Sequence, residues 1–139
     1  LILIQNHKPV AIARQELAIS DDYIFKNRKY CLFSSLPPSS TGSYGGAGIL
    51  VRNNIPHRTL TINTCLQAVA CRISTSQPLT VCSLYLSPTS KFKYQDMQSF
   101  PVSRSTQYNL IVFLSPRLNS FPYLILHIPC FLLKHIFFI

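Results

Sequence analysis

Between Pro9 and Leu86 the chain is a succession of short apolar runs, each closed by proline, glycine, asparagine or serine. That punctuation commits the stretch to sheet. Val10 to Ala13 make a buried-strand run that delivers Arg14, Gln15 and Glu16 to its C-terminal end. A second strand is expected at Lys29 to Phe33. From Ser34 to Gly48 the composition shifts to Ser, Pro, Gly and Thr, which predicts a surface loop between strands. Ala47 to Arg52 predicts a third strand, stopped by Asn53, Asn54 and Pro56, and Arg58 to Ile62 alternates polar with apolar as a fourth. Leu66 to Ile73 and Leu79 to Leu86, separated by Ser74 to Pro78, suit a hairpin. Leu1 to Ile4, followed by polar residues before Pro9, reads as the end of a helix.

At 139 residues and 15.8 kDa the chain can bury one core but not two. Its 47% hydrophobic content and mean hydropathy of +0.22 argue against disorder. Thirteen Lys and Arg against four Asp and Glu give a net charge of +9, which favours an anionic partner such as nucleic acid. The acids are Glu16, Asp21, Asp22 and Asp96, too few and too clustered for a two-carboxylate glycosidase or a calcium cage. The five cysteines form no C-x-x-C pair, so they read as small core residues in a reducing compartment rather than as zinc or redox ligands. The opening residues do not read as a secretory signal. A first residue of Leu1 and a sole methionine at Met97 suggest a piece of a longer protein.

Glu16 is the first candidate for chemistry, because a carboxylate leaving an apolar strand can hold a Mg²⁺ ion that keeps most of its waters. The bland alternatives are a solvated loop acid or a partner for Arg14. Tyr85 ends a strand that runs into Pro88, where its phenol could meet a phosphate or a proton transfer; a buried aromatic is the commoner outcome. Lys26, Arg28 and Lys29, interleaved with Tyr23, Phe25 and Tyr30, suit phosphate contact and base stacking in a nucleic-acid groove, and equally a charged solvated edge. Gly42, Gly45, Gly46 and Gly48 lack the Gly-Lys-Ser/Thr of a phosphate loop and fit a tight turn or bulge. His57 has no serine or cysteine near it in sequence and takes no role.

After Met97 the text changes. Pro101, Pro116, Pro122 and Pro129 interrupt strings of Phe, Leu and Ile, and no acid appears. The organisation expected is therefore residues 1–96 as one folded part and 97–139 as a divergent apolar tail, unstructured or translated from a shifted frame. Phe121 to Ile139 is apolar, but Lys134, two histidines and two prolines weigh against a membrane span.

His7-Lys8-Pro9-Val10-Ala11-Ile12-Ala13-Arg14-Gln15-Glu16, then Gly45-Gly46-Ala47-Gly48-Ile49-Leu50-Val51-Arg52-Asn53, then Leu66-Gln67-Ala68-Val69-Ala70, then Val81-Cys82-Ser83-Leu84-Tyr85-Leu86-Ser87-Pro88 follow one another in an order that resembles a single family. It is the endonuclease of jockey-like non-LTR retrotransposons, within the endonuclease/exonuclease/phosphatase superfamily. The resemblance covers about residues 1–96. It implies an α/β sandwich, mostly β sheet in this piece, from a polyprotein that nicks target DNA with a Mg²⁺-bound water so that the freed 3′ hydroxyl primes reverse transcription, in the nucleus. Glu16 matches the family's metal-binding glutamate and Tyr85 its strand-end tyrosine.

The departures are specific. Val10 stands where the family has aspartate and Arg14 where it has leucine. Its upstream asparagine, its Gly-Asp-Phe-Asn segment, its later aspartate and its terminal Asp-His pair have no counterpart here. Loss of metal ligands and of the general base removes effects each worth several powers of ten, so this chain alone is expected to be inactive. A non-catalytic nucleic-acid-binding remnant, using Lys26, Arg28, Lys29, Arg52 and Arg58, is the alternative, and a small membrane-associated protein a lesser one.

Overall fold

A computed structural model describes residues 8–15, 17, 19–20, 22–37, 45–64, 66–76, 78–85, 109–113 and 136–138. The described elements are all strands: β1 (Ala11–Gln15), β2 (Tyr30–Ser35), β3 (Ala47–Arg52), β4 (His57–Leu60), β5 (Gln67–Ile73), β6 (Leu79–Tyr85), β7 (Asn109–Phe113) and β8 (Ile136–Phe138). They form two four-stranded sheets, ordered β2-β3-β1-β8 and β4-β5-β6-β7. Pairings among the first six strands are antiparallel, whereas β8 joins β1 and β7 joins β6 in parallel. The mostly-sheet character expected from the sequence is what forms. The helix end expected near the start and the boundary expected near 96 fall outside the described residues, and two pieces of the tail pair as strands.

Position in the sheet follows from side-chain chemistry. β3 and β6 are buried along nearly their whole length and lie inside their sheets, as unbroken apolar strands must. β4, with Arg58 and Thr59 exposed, takes an edge, where charge also discourages pairing with another chain. The sheets pack face to face through Ala11, Ile49 and Val51 from one and Cys71, Ile73, Leu79 and Val81 from the other. Their outer faces carry smaller apolar clusters. Ile12, Tyr30 and Leu50 are covered in part by Phe25 and Leu32, and Ala70, Cys82 and Leu84 by Leu60, Ile62 and Leu66.

The chain passes from the first sheet to the second at a tight corner after β3. Ile55 N donates to Arg52 O at 3.1 Å, and Ser74 N donates to Pro56 O at 2.8 Å, which ties the corner to the end of β5. His57 already belongs to β4, one residue earlier than the alternation predicts. The β5–β6 hairpin pairs Gln67 with Tyr85 and Ile73 with Leu79, so its open end carries both Gln67 and Tyr85.

Candidate functional site

Four motif segments meet at one end of the sandwich. Gln15 closes β1 and Tyr85 closes β6, and both strands run toward the same end. Across the gap between the sheets, Gln15 Nε2 donates to Leu84 O at 2.9 Å, while Ser83 Oγ donates to Arg14 O at 3.1 Å. Gly46 N donates to Gln67 Oε1 at 2.7 Å, so the glycine segment before β3 is fastened to the start of β5. Leu17 N donates to Gly46 O at 3.4 Å. Each hydrogen bond joins residues far apart in sequence, so only the folded sandwich can make them.

Tyr85 has the same strand parity as Leu79, Val81 and Ser83 and shares their inward face. It is 8% exposed. Gly45, at φ +117°, lies against its ring: a Cβ there would come 2.8 Å from Cε1 of Tyr85. Both the backbone angle and the missing side chain are needed, because an L-residue resists that angle and its Cβ would displace the ring. Gly45 is therefore a seat for the tyrosine ring.

Glu16 lies outside the described residues. Its neighbours in sequence, Gln15 and Leu17, are held by Leu84 and Gly46. Among the described residues no three His, Cys, Asp or Glu side chains gather where a metal could sit. Asp22, the one acid among them, is exposed, and a hydrogen bond from Ser20 holds its carboxyl below the ordinary value. The described residues thus do not make up a Mg²⁺ site by themselves.

The basic residues sort differently from the sequence order. Arg28 and Lys29 line one cleft of about 360 Å³ together with Lys8, Arg52, Asn53 and Asn54. Neither Lys26 nor Arg58 lines it. Tyr30, expected among the stacking aromatics, is 3% exposed and donates from its hydroxyl to Pro9 O at 2.7 Å, so it is a core residue that anchors the cleft floor. This cleft adjoins the start of β1, where Arg52 N donates to Val10 O. Five residue steps at about 3.3 Å each separate it from the Gln15 end, roughly 16 Å away.

His57 acquires a partner that the sequence does not suggest. Its Nε2 is 3.1 Å from Cys31 Sγ, and its Nδ1 is 2.6 Å from Ile55 O. A carbonyl can only accept, so Nδ1 donates to Ile55 O, and the Cys31 thiol has two neighbours, His57 Nε2 and the Val51 carbonyl, to which it donates at 3.4 Å. Cys31 is on β2 and His57 on β4, the edges of the two sheets, and Phe33 packs edge-on against the imidazole at 5.5 Å. Burial pushes the Cys31 thiol up, which opposes a thiolate. The contact closes one side of the sandwich. No sequence signal marks it, because the two residues are 26 apart and on separate sheets.

No protein-family model matches the chain, and no curated protein does. No helix among the described residues is long and apolar enough to cross a membrane.

Proposed function

We propose that the chain is part of a retrotransposon-type DNA endonuclease of the endonuclease/exonuclease/phosphatase superfamily, whose parent polyprotein nicks target DNA to prime RNA-directed DNA synthesis. One observation supports this: Gln15, Gly45, Gln67 and Tyr85, one from each of the four segments on which the resemblance rests, lie together at one end of a two-sheet sandwich. A fold that put these segments at different ends would have removed its basis.

In the parent, Glu16 would be the ligand this chain contributes to Mg²⁺, and the ion would supply an activated water and neutralise charge on the phosphodiester. Tyr85 closes β6 at the same end, and in the parent its phenol would hydrogen-bond a phosphate oxygen and steady the scissile group. Gln15 fixes the end of β1 against Leu84. The family's further acids and its general base are missing from the sequence, so the 139 residues alone are inactive and bind at most as a remnant of the DNA-contacting surface.

The test restores the absent segments from an intact family member and scores Mg²⁺-dependent nicking of supercoiled plasmid. Glu16→Ala should lower nicking by about a hundredfold or more, and Tyr85→Phe by about tenfold to a hundredfold, each effect within the range of a lost metal ligand or transition-state hydrogen bond. Nicking unchanged in both variants would overturn the assignment.

A further inference from the structure

Two clefts share a wall. The basic one, about 360 Å³, gathers Lys8, Arg28, Lys29 and Arg52 from three separate segments. The other, about 430 Å³, is lined by Tyr23, Phe25 and Asn27 along with small and apolar side chains. Tyr30 and Asn53 belong to both. Among the described residues no carboxylate lines either cleft.

The backbone that carries Arg28 and Lys29 is held in place. Asn27 Oδ1 accepts from Lys29 N at 2.8 Å and Tyr30 N at 3.2 Å. Asn53 answers from the other side, its N donating to Lys29 O at 2.9 Å and its Nδ2 to Arg28 O at 3.2 Å. Arg52 Nε donates to Pro9 O at 3.2 Å, the carbonyl that also receives the Tyr30 hydroxyl, which fixes the guanidinium at the cleft. Lys8 sits at φ +44°, an angle non-glycine residues avoid and functional sites concentrate. Across the shared wall, Phe25 is half-buried on the Ile12–Leu50 cluster, while Tyr23 is 51% exposed and its backbone is pinned by Ser20 O.

We infer that this pair of clefts binds single-stranded nucleic acid, with backbone phosphate among Lys8, Arg28, Lys29 and Arg52 and an unstacked base against Tyr23 and Phe25. Charge complementarity selects a polyanion. The aromatic cleft narrows the choice, because a base must leave its helix to reach it, and only a single strand offers bases at little cost. The site lies at the opposite end of β1 from Tyr85 and needs no divalent metal, so it stands or falls independently of the endonuclease assignment.

The experiment uses the full 139-residue chain in EDTA, titrated with labelled oligothymidylate, a duplex of equal length, and heparin over a range of salt. The single strand should bind more tightly than the duplex. Arg28→Gln with Lys29→Gln should weaken it by about tenfold or more and flatten the log–log salt slope by about 1.4, at about 0.7 per lost phosphate contact. Tyr23→Ala should weaken oligothymidylate roughly five- to a hundredfold and leave heparin, which has no bases, unchanged. All three side chains are exposed, so the substitutions spare the core. Duplex bound as tightly as single strand, equal losses for heparin and oligonucleotide in Tyr23→Ala, or an unaltered double variant would each overturn the proposal.

Discussion

Gly45 concentrates the residue-scale logic of the molecule. Its φ of +117° is outside the range of ordinary L-residues, and the space a side chain would need is filled by the Tyr85 ring. Gly45→Ala should therefore cost about 1–3 kcal/mol through backbone strain, with the ring forced off its seat as well. A urea titration followed by tyrosine fluorescence measures both: a lower midpoint and an altered native signal are expected, and an unchanged midpoint would mean the close approach is absent. The same scale holds what sequence could not disclose. Glu16 and Tyr85 can be singled out because a carboxylate or phenol at the end of an apolar strand is unusual. Cys31 and His57 cannot, since nothing local distinguishes a thiol that faces an imidazole from one buried in a core. Tyr30 resembles its neighbours Tyr23 and Phe25 in sequence, and only the Pro9 carbonyl beneath its hydroxyl separates a core anchor from a surface aromatic.

Strands are legible in proportion to how fully they are buried. Ala47 to Arg52 is readable to the residue because a central strand is apolar on both faces, and the β5–β6 hairpin because the turn residues between its arms are unambiguous. β4 is blurred by its edge position, where one face is free to be polar. β7 and β8 escape the sequence reading, since their parallel pairing with β6 and β1 joins segments with no turn between them to announce it. Two buried thiols on neighbouring strands give this scale a test. Burial pushes Cys71 on β5 up to about 12, with the nearby Cys31 adding to the effect, and burial alone does the same to Cys82 on β6. In the unfolded chain both ionise near the ordinary value of 9.0. Above that pH the unfolded state has released protons the folded state keeps, so stability must fall as pH rises. The decline should begin near pH 9.0 and continue to about pH 12. Urea midpoints at about pH 8 and about pH 10.5, on either side of the unfolded thiol's ionisation, should differ accordingly. Cys71→Ala with Cys82→Ala should lessen the difference; a midpoint flat across that interval would mean these thiols are not buried.

At the scale of the whole molecule, the two ends of the sandwich have different chemistry. One end gathers the motif segments around Gln15, Gly46, Gln67 and Tyr85, and the other gathers cations around Tyr30. Roughly 16 Å of strand lies between them, so a bound strand at the basic end and a phosphodiester at the tyrosine end are separate events. The functional account depends on the first of these gatherings. Solution NMR of the 139-residue chain tests it most directly, through nuclear Overhauser effects between the Gly45 Hα protons and the Tyr85 ring and between the Gln15 side-chain amide protons and the backbone of Leu84 and Tyr85. Both sets of contacts are predicted. Their absence, or contacts that place Gln15 beside the opposite end of the hairpin at Ile73 and Leu79, would contradict the account.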